Sequence, residues 1–233
     1  MIDWHAHVLP GIDDGSHDIE ESLALLDASA AQGIDCVIAT PHFYANQNSV
    51  DEFLKKRAEA YKKLKLSKKA DAPTILCGAE VTYYQGINNL EGLEKLKIGS
   101  TDMLLLEMPF HKWSESVISE VSELACDNSM TVILAHIERY MQYNDMDVFE
   151  DFAANGILMQ SNASFFNEFS SRRKALKLLE SGLISFVGSD CHNMTSRPPH
   201  MDTAFEHIKK RFGEDILYDM YENGCKALLK KHS

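Results

Sequence analysis

The chain has 233 residues, enough to bury one substantial core, and because single α/β barrels commonly reach this length one domain over 1–233 is expected. Its 35 acidic against 23 basic residues leave a net charge of -12, which argues against unspecific binding to nucleic acid or an anionic membrane, since both need a positive field. No run of about 18 apolar residues occurs, the start Met1-Ile2-Asp3-Trp4-His5 lacks a secretory pattern, and the five scattered cysteines form no C-x-x-C pair, so a cytoplasmic protein with reduced thiols and no membrane insertion is expected.

Short apolar runs then alternate with amphipathic segments from end to end. The first strand, 2–5, ends in His5, and His7 follows at alternate spacing, so both side chains share one face. The turn Gly11-Ile12-Asp13-Asp14-Gly15 can bring a carboxylate back beside them. A helix over 18–33 has an acidic start, apolar Leu23, Leu25, Leu26 and Ala30, and a terminal glycine. A strand over 36–40 runs into Thr40-Pro41-His42, and a lysine-rich, solvated helix covers 51–69. The strand 74–81 carries Gly78-Ala79-Glu80 and leads into an irregular loop over 83–92; the strand 103–108 places Glu107 straight after Met103-Leu104-Leu105-Leu106. A helix over 114–128 precedes the strand 131–136, which closes on Ala135-His136, and a helix over 145–155 precedes the strand 156–162, which carries Gln160 and Asn162. After a helix over 170–182 the strand 185–190 closes on Asp190-Cys191-His192; an irregular stretch at 197–200 and helices over 200–212 and 215–231 complete the chain.

Seven strand-helix units imply a parallel sheet, because each crossover between parallel strands needs its own helix. An eight-fold barrel with one unit missing or degraded is the expected form. Six of the seven strands end in a histidine or a carboxylate, and in a parallel barrel those ends share the rim where loops build active sites. An ionised Glu107 in an apolar strand needs a partner to offset several kcal/mol of desolvation, and a metal is such a partner. Singly, each residue reads as well as a salt-bridged glutamate or a hydrogen-bonded histidine; as a set, mixed nitrogen and oxygen donors are what zinc, manganese or iron sites require.

Over its whole length the chain resembles PHP-domain (polymerase and histidinol phosphatase) proteins, and among them the bacterial capsule-associated manganese-dependent protein-tyrosine phosphatases. The resemblance rests on His5-Ala6-His7-Val8-Leu9-Pro10-Gly11-Ile12-Asp13-Asp14-Gly15, Ala39-Thr40-Pro41-His42, Gly78-Ala79-Glu80, Glu107-Met108-Pro109-Phe110, Ala135-His136-Ile137-Glu138-Arg139-Tyr140, and Gly188-Ser189-Asp190-Cys191-His192 with Arg197-Pro198-Pro199. It implies a distorted (β/α)7 TIM-like barrel of PHP fold in a single domain. It also implies three divalent metals on His5, His7, Asp14, His42, Glu80, Glu107, His136, Asp190 and His192, manganese foremost, with iron, zinc or magnesium as alternatives. Cys191 departs from the pattern, which more usually has a small or apolar residue there. The implied substrate is the phosphorylated tyrosine-rich tail of a bacterial tyrosine kinase controlling capsule or exopolysaccharide assembly.

Three divalent ions against four ligand carboxylates leave a positive excess, which reconciles an acidic chain with an anionic substrate. Hydroxide from a metal-activated water, whose pKa falls toward ~7, would attack phosphorus in line without a phosphoenzyme. Arg139 and Arg197, close after His136 and after Asp190-x-His192, are placed to clamp phosphate, and with His136 and Asp190 make up the expected catalytic set. A phenol, pKa ~10, leaves with little help from a general acid, for which His200 or a metal-held water would serve. Asn162 and Gln160, at the sixth strand end, read equally as groups that orient water or substrate and as residues that bond their own loop. Tyr44, Phe43, Phe165 and Phe166 follow strand ends and could line a cleft for a tyrosine ring, although core packing accounts for any one of them.

Three other readings compete. Cys191 to Arg197 matches the C-x5-R loop of thiol-dependent tyrosine phosphatases, but it contains no glycine, is followed by Pro198 and Pro199, and sets Asp190 beside the thiol, all against a thiolate-activating phosphate cradle. The barrel could instead hydrolyse a small phosphomonoester such as histidinol phosphate, or the metals could only stabilise a scaffold that binds a kinase tail.

Overall fold

Buried runs become parallel strands and amphipathic stretches become helices packed outside them in the computed structural model of the chain, which describes residues 1–126 and 130–229. In chain order the elements are β1 (Ile2–Ala6), α1 (Ile19–Ala31), β2 (Cys36–Ala39), β3 (His42–Phe43), α2 (Val50–Ser67), β4 (Thr74–Cys77), β5 (Glu80–Thr82), β6 (Met103–Glu107) and α3 (Glu115–Cys126). They continue with β7 (Thr131–Leu134), α4 (Met146–Ala154), β8 (Leu158–Asn162), α5 (Ala163–Asn167), α6 (Arg172–Glu180), β9 (Phe186–Gly188), α7 (Met201–Phe212) and α8 (Asp215–Leu229). Local chemistry sets the helix starts: the Asp18 side chain accepts from the Glu21 N–H at α1, and Ser49 with Glu52 forms a reciprocal capping box at α2. The helix ends expected at Asn128 and Lys231 lie outside the described residues.

Two expected strands are each broken in two. Pro41, with no N–H for a ladder, separates β2 from β3. Gly78-Ala79 separates β4 from β5, and at Gly78 a Cβ would lie 2.9 Å from Ile98 Cγ1, so only glycine lets the chain pass this close. The break redirects the pairing: β1, β2 and β4 form one parallel ladder, and β3, β5, β6, β7, β8 and β9 form another. The last strand returns to the first through a parallel bridge between Ala6 and Cys191, with His7 N donating to Cys191 O at 2.9 Å and Asp190 N to His5 O at 2.7 Å. The product is an α/β fold built on a curled parallel sheet. Among the described residues, no helix is long and apolar enough to cross a membrane.

Alternation along the strands sorts the core into two faces. Leu104 and Leu106 of β6 and Val132 and Leu134 of β7 join the large cluster shared with the helices. Met103, Leu105 and Ile133 join Ile2, Trp4, Ile38 and Phe186 in an inner cluster against which Tyr221 and Leu228 of α8 pack. Glu107 continues the Met103-Leu105 face, so its carboxylate stands at the strand end above this inner cluster.

Candidate metal centre

His5 and His7 are brought together by the extended backbone of β1 and the residues after it, and both rings are fully buried. Two glycines permit this. A Cβ on Gly15 would meet His7 Cβ at 2.4 Å, and one on Gly188 would meet His5 Cβ at 2.7 Å. Two side chains fix how the rings turn. Asp13 Oδ2 lies 2.7 Å from His7 Nδ1, and Gln160 Oε1 lies 3.2 Å from His5 Nδ1. With the Nδ1 proton of each ring spent on an oxygen acceptor, both Nε2 atoms present lone pairs.

Those two Nε2 atoms face each other at 3.1 Å. Glu80 Oε2 is 3.2 Å from the first and 3.3 Å from the second, and Asp190 Oδ1 is 3.6 and 3.5 Å away. Four acceptor atoms this close repel unless something positive lies among them, and about 3.0–3.4 Å is the spacing of donors that share a divalent ion at about 2.1 Å. The set extends outward. His42 Nδ1 lies 3.0 Å from Glu80 Oε2, His136 Nε2 lies 2.8 Å from Glu80 Oε1 and 3.6 Å from Glu107 Oε1, and Asp14 Oδ1 lies 3.5 Å from Nε2 of both His42 and His192. Three groups could each hold a cation: His7, Asp14, His42 and His192; His5, His7 and Asp190; and His42, Glu80 and Glu107. Buried Glu80 Oε2, His42 Nδ1 and His192 Nε2 have no hydrogen-bond partner. The close approach of His42 Nδ1 to Glu80 Oε2 lacks hydrogen-bond geometry and is better described as two donors converging on a common point. The residues therefore fit a cluster of divalent metals.

Without a metal, protons take that place. Burial opposes charge on His7, but Asp13 and Glu80 outweigh it and hold its pKa up at about 10; His136 is raised to about 9 against the same opposition by Glu107 and Glu80. Asp190, despite burial, is held well below the carboxylate range by His5 and His7. His136 and Asp190 also have left-handed backbones, with φ of 29° and 53°, an uncommon conformation for non-glycine residues that concentrates at functional sites. The surroundings hold both residues there: His136 N donates to Gln160 Oε1 at 2.7 Å, and Asn162 Nδ2 donates to Asp190 Oδ2 at 2.9 Å.

A cleft of about 520 Å³ opens beside the cluster, lined by Arg139, Asn162, Asp190, Arg197 and His200 among others. Arg139 Nη2 and Arg197 Nη2 reach the same atom, Asp190 Oδ2, at 2.5 and 2.7 Å, and both guanidiniums remain partly exposed to the cleft. Arg139 ends a 3-10 turn, Ile137–Arg139, that Glu138 anchors by accepting from Ser161 Oγ at 3.0 Å and Asn162 N at 3.2 Å.

The thiol reading fails on geometry. Cys191 is fully buried, and its pKa is pushed far up by burial and by the Asp3 and Asp190 charges. The N–H groups of Thr195, Ser196 and Arg197, which a phosphate cradle would need, all donate to Asn193 Oδ1 at 2.7–3.2 Å.

All nine expected donor residues meet at this one place. Of the aromatic candidates, only Tyr44 reaches it, its ring 5.3 Å from that of His42. Phe43, Phe165 and Phe166 are buried in the core instead. His200 sits on the cleft wall. Sequence reasoning missed three supports: Asp13, Glu138 and Phe110, whose ring stacks 6.0 Å from His136. Asp13 could have been flagged as one of two adjacent acids in a turn; the partly buried Glu138 left no local signal.

Residues 1–230 match the family model described as "Capsular polysaccharide synthesis, CpsB/CapC". The chain is similar to the tyrosine-protein phosphatase CpsB of Streptococcus pneumoniae, 33% identical over 98% of each chain, and to the tyrosine-protein phosphatase YwqE of Bacillus subtilis, 32% identical over 96% of this chain and 89% of that one. Its fold matches a solved structure from a study of YwqE and CpsB, described as unique metal-dependent tyrosine phosphatases, with TM-score 0.85 and 26% identity over all of this chain and 96% of the other.

Proposed function

The chain belongs to the CpsB/CapC family of capsular polysaccharide synthesis, and from that premise we propose that it is a metal-dependent protein-tyrosine phosphatase, a phosphoric monoester hydrolase. One observation carries this reading: His5 Nε2, His7 Nε2, Glu80 Oε2 and Asp190 Oδ1, all buried, converge at 3.1–3.6 Å with lone pairs inward, beside two arginines that open onto a cleft.

We assign His5, His7, Asp14, His42, Glu80, Glu107, His136, Asp190 and His192 as ligands of three divalent ions, manganese foremost; the three donor groups support that number. When bound, the ions supply a nucleophilic hydroxide at neutral pH and neutralise charge on the phosphate. Asp13 and Gln160 keep His7 and His5 in the tautomer that leaves Nε2 free. Arg139 and Arg197 each spend one N–H on Asp190 and offer the others to the non-bridging phosphate oxygens, holding them as charge redistributes. We take His200, which lines the cleft, as the group that hands a proton to the departing oxygen, and a phenol needs little such help. We read β2 with β3, and β4 with β5, as single interrupted strands of a distorted (β/α)7 barrel. We further assign a cytoplasmic location and, as substrate, the phosphorylated tail of a bacterial tyrosine kinase governing capsule or exopolysaccharide synthesis.

The test is turnover of a phosphotyrosine peptide by purified protein stripped of metal and reloaded with manganese, iron, zinc or magnesium, with histidinol phosphate measured beside it. Metal-restored peptide turnover that His136→Ala abolishes without unfolding supports the reading. Faster turnover of histidinol phosphate, or none of either ester, overturns it.

A further inference from the structure

Away from the metal centre, an open groove of about 810 Å³ lies between α6 and the end of α7, lined by Phe169, Arg172, Arg173, Lys177, Glu180 and Arg211 among others. A chain of net charge -12 has here gathered four cations against one acid. Glu180 is engaged by Arg211 at 3.1 Å, and Arg172 holds the carbonyls of Phe166 and Asn167 at 3.0 and 2.6 Å. Arg173 and Lys177, one turn apart on α6, are exposed and have no acidic partner among the described residues. Phe169 stands 92% exposed beside them, the most exposed large apolar side chain described. His207 on α7 reports the local field: burial first, then the charges of Arg172 and Lys210, hold it below its ordinary pKa.

The groove and the phosphate cleft are lined by consecutive residues of the chain. Asn167 and Glu168 line the cleft, and Phe169, next in the chain, begins the groove. Resting on the phosphotyrosine reading above, we propose that this groove is a second docking site for the substrate polypeptide, taking an acidic segment that flanks the phosphotyrosine and seating an apolar side chain on Phe169. The unpaired Arg173 and Lys177 supply complementary charge, and because the two linings adjoin at Glu168 and Phe169 the occupant is one extended substrate chain, advancing about 3.3–3.6 Å per residue. A lipid surface fits less well: the groove is concave, Glu180 lies in its wall, and the chain as a whole carries a net charge of -12.

The experiment compares kcat/KM of manganese-loaded wild type and an Arg173→Glu/Lys177→Glu variant on p-nitrophenyl phosphate, a phosphotyrosine peptide with glutamate flanks, and the same peptide with glutamine flanks. The expected result is a loss of about tenfold for the glutamate peptide, expressed in KM, erased by high salt, with the other two substrates unchanged. Phe169→Ser should weaken both peptides and leave p-nitrophenyl phosphate alone. Equal losses on all three substrates, or none on the glutamate peptide, overturn the proposal. So does charge-reversal-sensitive binding to anionic phospholipid vesicles with peptide kinetics unchanged, or a dimer that Phe169→Ser dissociates. Fluorescence anisotropy of the unphosphorylated glutamate peptide separates this from the phosphatase reading: it tests the groove even if no substrate is turned over, and absence of binding there overturns the groove alone.

Discussion

Asp13 Oδ2 sits 2.7 Å from His7 Nδ1, in a buried contact that turns the other nitrogen of the ring toward Glu80 and Asp190. The same oxygen accepts the His42 N–H at 2.9 Å, so one carboxylate aligns both the residue that follows β1 and the first residue of β3. Its neighbour Asp14 is different in kind, with its side chain 67% exposed and an oxygen free to approach His42 and His192.

Asp13→Asn should therefore weaken manganese binding by about 10–100-fold while the chain stays folded, because an outer carboxylate that fixes tautomer and basicity typically acts on that scale. Competition against a metallochromic chelator measures it; wild-type affinity in the variant would show that the contact is incidental.

Removing the metals should abolish phosphatase activity, whereas Cys191→Ser should retain it. The thiol is buried and far from ionising at neutral pH, so iodoacetamide should leave Cys191 unlabelled in the native protein. Activity that survived exhaustive chelation but vanished in Cys191→Ser would reverse the assignment.

Arg139→Ala should lower kcat/KM by about 10²–10³ with metal content unchanged, as loss of a group that stabilises charge in the transition state does. Arg139→Lys should recover only part of this, since an ammonium cannot reproduce the planar fork. Full rescue by lysine would mean that the residue acts only as a point charge.

Gly188→Ala places a methyl 2.7 Å from His5 Cβ, 2.8 Å from His5 N and 2.9 Å from Gln160 Nε2. Overpacking of this kind typically costs about 1–3 kcal/mol, and here it should also displace a metal donor. A lower Tm for the metal-free variant, together with reduced metal content, is expected; unchanged values for both would contradict the described packing.

Much of this arrangement was legible in the chain. Alternating apolar runs and amphipathic helices dictate a parallel α/β sheet, and parallel strands put their C-terminal ends at one edge, so His5, Glu107, His136 and Asp190 were bound to meet there. That inference needs only periodicity and connectivity, both local properties. What only the tertiary structure decided depends on distances between residues remote in sequence. It chose Asp13 rather than Asp14 to steady His7, broke two strands at Pro41 and Gly78-Ala79, and sent Phe43, Phe165 and Phe166 inward while Tyr44 reached the site. It forced His136 and Asp190 into left-handed backbones and spent the N–H groups after Asn193 on that residue's own side chain. Spacing determines which face a side chain occupies, but sheet twist, the close approach at Gly188 and burial determine which atoms come within bonding reach.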